Sequence, residues 1–325
     1  MRFLVTGAAG FIGSHVSHAL LDRGHEVVGV DVLNSYYDPQ LKTARLERLQ
    51  DRPGFVFHKL DIADDGALAG LPDLHDLKAV IHLAAQAGVR YSIENPMAYA
   101  RSNLVGHLAV LELVRRLEPR PLLVYASSSS VYGDSTAPPF SENARVDHPV
   151  SLYAATKRAD ELLSVSYAHL YGMAQIGLRF FTVYGPWGRP DMAYWSFSER
   201  ILAGRPIQLF NQGDLQRDFT YIDDIVEGVV RVALQEPRFA NEALPHRVYN
   251  IGNNRPVALM DFVRTLEQAL GRTATLEFLP MQPGDVHATY ADIDALQADY
   301  GFAPTTPIAE GLQRFADWFK GYRGG

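Results

Sequence analysis

Gly7, Gly10 and Gly13 follow the apolar run RFLVT and open the amphipathic run FIGSHVSHALLDRG. So sharp a passage from strand to helix needs positions without a Cβ, because the loop backbone must fold back close to the strand it leaves. The same geometry leaves backbone N–H groups facing outward at a helix N-terminus, where partial positive charge gathers and a pyrophosphate can be cradled. A strand, a glycine loop and a helix in that order form the opening unit of a parallel sheet covered by helices on both faces.

The sequence continues in that rhythm. Strand candidates are RFLVTG, EVVGVD, FVFHKLD, KAVIHLAA, LLVYASS and AQIGLRFF, and helix candidates fall at 11–23, 40–50, 95–117 and 152–171. Short β-branched runs alternating with crossover-length helices predict the α/β class: a doubly wound parallel sheet of the Rossmann type. After Gly185 the alternation loosens around Pro186, Pro190 and Pro206, which predicts a smaller C-terminal α/β substrate lobe. The expected division is a first lobe over 1–182 that regains segments near 215–252, interleaved with a second lobe drawn mostly from 183–325. No internal repeat or low-complexity tract interrupts the pattern.

Composition narrows the function. The 325 residues carry a formal net charge of −7 and no cysteine. An acidic chain is not drawn to nucleic acid or to an anionic membrane, and without cysteine there are no disulfides, zinc–thiolate sites or thiol nucleophiles. No apolar run is long enough to span a bilayer and the start shows no secretion signal, so the expectation is a soluble cytoplasmic protein with no metal site.

Asp31 ends EVVGVD, the strand after the glycine loop. A carboxylate there accepts hydrogen bonds from both ribose hydroxyls of a dinucleotide and repels a 2′-phosphate, which favours NAD over NADP. The expected cofactor surface comprises Gly7, Gly10, Phe11, Ile12, Gly13 and Asp31, with Asp61 and Ile62 ending the third strand at the same rim.

The run SLYAATKRADELLSVSYAHL reads as a helix, so Tyr153 and Lys157, four apart, share a face. A phenol is a poor base at neutral pH unless a cation lies beside it, and Lys157 together with a positive nicotinamide ring supplies one. Upstream, YASSSSVYG brings hydroxyls to the carboxyl end of a central strand, the rim where ligands of doubly wound sheets bind. Any of Ser127, Ser128, Ser129 and Ser130 is a candidate to share a substrate hydroxyl with Tyr153.

GAAGFIG, Asp31, HLAAQ, SSSSVYG, YAATK and RFFTVYGP, in that order, resemble the motifs of the extended short-chain dehydrogenase/reductase family. The resemblance implies that Ser128 is the catalytic hydroxyl, Tyr153 the general acid/base and Lys157 its partner. It implies that Leu83, Ala84, Ala85, Gln86, Asn103 and Phe181 contact the cofactor, alongside Tyr153 and Lys157. It also implies a homodimer paired through the helices near 95–117 and 152–171.

Family members open by oxidising C4 of a nucleotide sugar. Those that go on to dehydrate or decarboxylate carry Asp or Glu just after the catalytic hydroxyl, where this chain has Ser129 and Ser130, so the resemblance implies return of the hydride to the opposite face, a 4-epimerisation. TVYGPWGRPDMA, NSYYDPQLKTARL and HLAAQAGVRYS are together similar to the UDP-glucuronate 4-epimerase branch. The implied substrate pair is UDP-glucuronate and UDP-galacturonate. Thr182 and Arg189 would face the sugar carboxylate, which a guanidinium recognises bidentately. Arg217 and Gln282 would hold the diphosphate, Gln208 in IQLF would lie by the uracil, and Arg90 completes the expected substrate set. UDP-glucose 4-epimerase, UDP-glucuronate decarboxylase and a non-catalytic NAD-sensing regulator stay as rival readings.

Overall fold

The computed structural model describes residues 1–72, 74–134, 138–281 and 287–324. Its strands are β1 (Arg2–Thr6), β2 (Glu26–Asp31), β3 (Phe55–Lys59), β4 (Leu77–His82), β5 (Leu122–Ser128), β6 (Gln175–Phe180), β7 (Thr182–Tyr184), β8 (Ile207–Leu209), β9 (Gln216–Tyr221), β10 (His246–Ile251), β11 (Pro256–Ala258), β12 (Leu276–Phe278) and β13 (Ala288–Thr289). Seven of them form one parallel sheet in the order β10-β6-β5-β4-β1-β2-β3. The chain winds outward from β1 to β3, then restarts at β4 on the other side of β1. Between β1 and β4 the crossovers diverge, leaving a crevice at the carboxyl ends of the strands.

Near-continuous apolar runs form these strands because both faces are covered. Phe3 and Val5 of β1 join Ile81, Val124 and Ile176 in one core cluster, while Leu4 joins Val28, Val80 and Leu123 in the other. That split follows from side chains alternating across the pleat. One face takes Val16 and Leu20 of the helix Phe11–Asp22 and Ile225 and Val229 of the helix Ile222–Leu234; the other takes Val110, Leu111 and Val114 of the helix Gly106–Arg116.

Two elements depart from the sequence expectation. The helix expected over 95–117 is broken into Pro96–Tyr99, a π-helical stretch Ala100–Val105, and Gly106–Arg116, and the wide turn turns Asn103 inward. The segment near 215–252 rejoins the main sheet only in part. β9 pairs with β7, β11 and β13 in a small separate sheet, anchored where the buried Asp218 carboxylate accepts N–H groups from Asn253, Asn254 and Ala291. The return begins at the helix Ile222–Leu234 and is completed by β10 beside β6. Among the described residues no helix is long and apolar enough to cross a membrane.

Candidate active site

At the turn after β1, Gly7 takes φ +74° and its N–H donates to Val30 O at 2.7 Å, tying the loop to β2. A Cβ on Gly13 would lie 2.1 Å from Gly7 O, and one on Gly7 would lie 2.8 Å from Ala84 N. The loop is therefore closed against the helix and against the residues after β4, leaving a cradle that side chains would fill. Asp31 stands beside it, its two carboxylate oxygens accepting from Ala9 N at 3.1 Å and Leu33 N at 2.9 Å. Each oxygen keeps a further lone pair for a ribose hydroxyl.

This loop floors one end of a cavity of about 900 Å³ at the crevice. Gly10, Phe11, Ile12, Asp61, Ile62, Leu83, Ala84, Ala85, Gln86 and Phe181 line it as well. Asn103 does not. Its carboxamide is spent on the peptide of Gln86, accepting from the N–H at 2.8 Å and donating to the carbonyl at 3.1 Å, and on Thr156 Oγ1 at 2.9 Å. The π-helical turn places it one layer behind the cavity, where it fixes the wall through Gln86.

Two elements meet at the centre. β5 ends in Ser127 and Ser128, which the pleat separates, and Ser129 and Ser130 open the helical turn after it: Ser127 donates to the buried Glu161 at 2.6 Å, whereas the Ser128 oxygen accepts from Ser130 N and Ser130 Oγ at the cavity wall. The helix Leu152–Tyr171, capped where Ser151 accepts from Ala154 N, brings Tyr153 and Lys157 to the same wall. Tyr153 packs edge-on against Tyr99 with ring centroids 6.1 Å apart. Lys157 is buried and donates to Ala126 O at 2.8 Å and to Asp160 at 3.0 Å. Burial pushes Asp160 up to about 6 against the pull of Lys157. For its neighbour Glu161, burial also pushes upward, but the bidentate bond from Arg179 outweighs it and holds that carboxyl below its usual range.

Beyond the serines the cavity extends to residues that follow β6. Thr182 opens β7, and Arg189 projects from the following loop with its Nε 3.0 Å from Asp191 Oδ1 and an Nη on the other oxygen. Tyr36 donates to the same carboxylate at 3.2 Å, and burial first, then the Asp191 charge, pushes its phenol up to about 12. Arg90 lies over the Phe210 ring at 5.1 Å, Gln208 donates to Glu277 at 3.1 Å, and Arg217 donates to Gln216 O and His287 O; all three line the far end. Gln282 lies outside the described residues.

The motif reading missed Lys42, Tyr36 and Asp191, all of which line the cavity. Lys42 is held by Asn34 O at 2.8 Å near Asp31, where burial lowers its pKa and the Asp31 charge works against that. A lysine one turn into the helix after YYDP was the available signal; Asp191 offered none apart from its closeness to Arg189.

The sequence profile of the NAD dependent epimerase/dehydratase family matches residues 3–252. A probable UDP-glucuronate 4-epimerase of Rhizobium meliloti is 48% identical over 99% of this chain and 98% of its own. UDP-glucuronate 4-epimerase 1 of Arabidopsis thaliana is 49% identical over 99% of this chain and 77% of its own. Among solved structures, UDP-glucuronic acid 4-epimerase from Bacillus cereus in complex with UDP-glucuronic acid and NAD superposes with a TM-score of 0.90 at 35% identity, covering 99% of this chain and 100% of that one.

Proposed function

The chain belongs to the NAD dependent epimerase/dehydratase family, and from that premise we propose that it interconverts UDP-glucuronate and UDP-galacturonate by inverting C4 of the sugar. One observation carries the reading: Ser128, Tyr153 and Lys157 share a single cavity with Thr182 and Arg189, and the position after Ser128 holds a serine instead of an acid.

The cradle left by Gly7, Gly10 and Gly13, with Asp31 at its rim, fits a dinucleotide whose adenosine ribose is unphosphorylated. Bound there, NAD supplies the oxidant that takes hydride from C4 and gives it back. Tyr153 accepts the proton of the C4 hydroxyl while Ser128 hydrogen-bonds the same oxygen, and Lys157 contributes its charge from one helical turn away. The 4-keto sugar then turns about its diphosphate linkage, and Tyr153 returns the proton to the other epimer. The position after Ser128 holds Ser129 instead of the acid with which dehydratases and decarboxylases of the family handle a ring proton, so the 4-keto intermediate takes its hydride back.

The oxidised uronate is a β-keto acid, which loses CO₂ when its carboxylate bond stands perpendicular to the ketone. Thr182 and Arg189 hold that carboxylate near the carbonyl plane. Arg217, Gln208 and Gln282 of the second lobe serve the UDP end together with Arg90 of the first, so the first lobe binds cofactor and the second, interleaved with it, supplies most of the substrate contacts. Exposed Leu108, Leu162 and Leu170 on the two helices named for pairing fit a homodimer. The test is direct: purified protein is incubated with UDP-glucuronate and no added NAD. UDP-galacturonate is the expected product; UDP-xylose or unchanged substrate would overturn the assignment.

A further inference from the structure

Arg45 is fully buried, and its five N–H groups make five hydrogen bonds, none of them to a carboxylate. Nε and Nη2 both reach Trp187 O, at 2.9 and 2.6 Å, and Nη2 reaches Gly188 O at 2.7 Å. Nη1 reaches Ala9 O at 3.2 Å and the Tyr37 hydroxyl at 2.7 Å. Ala9 belongs to the glycine loop, and Gly188 precedes Arg189. One guanidinium thus grips both the loop that cradles the dinucleotide and the loop that presents Arg189.

Burying a cation that is bonded to no carboxylate among the described residues is costly, and an aliphatic side chain would fill the same space more cheaply. What the guanidinium adds is a rigid fork whose directed bonds fix the peptides of two successive residues. The loop it fixes is otherwise strained, because Trp187 takes φ +61°, a conformation that a bulky side chain holds only when its surroundings impose it. Those surroundings are Arg48 stacked on the Trp187 ring at 4.8 Å, and Trp318 and Tyr322 of the C-terminal helix at 5.2 and 5.7 Å. On the far side, Arg189 N donates to Tyr194 at 3.1 Å.

We propose that Arg45 is a positioning residue for uronate recognition, which holds Arg189 in register with the dinucleotide loop so that the sugar carboxylate is clamped where C4 meets the cofactor. The inference rests on the assignment of Arg189 to that carboxylate. It also accounts for the segment NSYYDPQLKTARL, in which Tyr37 and Arg45 tie the loop down, Arg48 beyond its end covers the loop's tryptophan, and Tyr36 steadies Asp191.

The test compares Arg45→Lys, which keeps the charge but not the fork, with the parent, both loaded with NAD and both checked by thermal melting. Titration calorimetry gives affinities for UDP and for UDP-glucuronate, and chromatography gives the share of decarboxylated product. Arg45→Lys should leave UDP affinity within about twofold, weaken UDP-glucuronate about tenfold and raise the decarboxylated share, because a small misplacement of a clamp acts on the group it clamps. Tyr37→Phe removes only the oxygen holding Nη1; it should move the same readouts less far, and it serves as the test if Arg45→Lys does not fold. In an Arg189→Ala background, either change should add nothing. Parallel weakening of UDP and UDP-glucuronate, or a full effect persisting without Arg189, overturns this inference alone. An Arg189→Ala protein that binds UDP-glucuronate as tightly as the parent overturns the carboxylate assignment and this inference with it.

Discussion

Lys157 Nζ lies 3.0 Å from Asp160 Oδ2, so the lysine one turn from Tyr153 is tethered to a carboxylate on its own helix. The other Asp160 oxygen is buried without a hydrogen-bond partner among the described residues, and burial pushes the group up to about 6. An unfolded aspartate titrates near 3.9. Between about pH 4 and 6 the folded chain therefore keeps a proton that the unfolded chain releases, and Asp160 lowers stability as pH rises through that window, by up to about 3 kcal/mol.

Three buried histidines act in the opposite sense. His82, His107 and His246 form a column with Tyr125, whose hydroxyl lies 2.9 Å from the His246 ring nitrogen. Burial is the main cause lowering each, His82 to about 3 and His246 to about 4. Folded-state values below the unfolded 6.5 mean that their stabilisation is present at neutral pH and is lost as pH falls from about 6.5 towards 4. The protein should thus lose melting temperature on acidification, with Asp160 softening the loss. Asp160→Asn removes that softening, so melting curves between pH 4 and 7 should fall more steeply for the variant. Parallel curves would show that Asp160 is already ionised across the range.

The four consecutive serines divide by partner. Ser128 faces the cavity and carries the bonds from Ser130, whereas Ser127 donates inward to Glu161. Ser128→Ala should lower kcat by about a hundredfold, the usual consequence of losing one preorganised donor, with little change in melting temperature. Ser127→Ala should do the reverse: it withdraws a donor from a buried carboxylate, at a cost of about 1–3 kcal/mol, while kcat stays within a few-fold. Steady-state rates and melts of the two variants decide the assignment, and a larger kcat loss for Ser127→Ala would reverse it.

Features that a short stretch of chain determines by itself were legible in the sequence. Alternating runs and three glycines fix strand, turn and helix locally, and a spacing of four fixes Tyr153 against Lys157 once the helix is granted. Which strand joins which sheet was not local: β9 reads as sheet material equally well beside β6 or beside β7. The inward turn of Asn103 depends on a π-helical stretch that leaves the apolar period almost unchanged. Tyr36 with Asp191, and Arg45 with Trp187, meet across more than a hundred residues of chain, so no spacing rule announces them.

The glycine loop gives a sharper test of cofactor binding than its acidic rim does. A Cβ on Gly13 would meet the Gly7 carbonyl oxygen at 2.1 Å, backbone against backbone, with no flexible side chain to yield. Gly13→Ala must open the turn that cradles a pyrophosphate. The variant should lose the NAD that is released when the purified parent is denatured, which enzymatic assay of the supernatant measures. Parent-like NAD content would mean that the cradle is not where the dinucleotide lies.

Tyr153 offers the cleanest separation of chemistry from architecture. Its ring packs against Tyr99, whose own hydroxyl is occupied by the carbonyls of Ala87, at 2.9 Å, and Gly88. Among the described residues the Tyr153 hydroxyl makes no side-chain hydrogen bond, which leaves it available to a ligand at the cavity wall. Tyr153→Phe keeps the ring contact and removes only the proton carrier. Epimerisation of UDP-glucuronate should fall by about 10²–10⁴-fold, the span associated with a lost general acid/base, while the melting temperature and the affinity for UDP stay unchanged. If the rate survived, proton transfer would have to pass through another group, and the hydrogen-bonded hydroxyls of Ser128 and Ser130 at the end of β5 are placed to take it over.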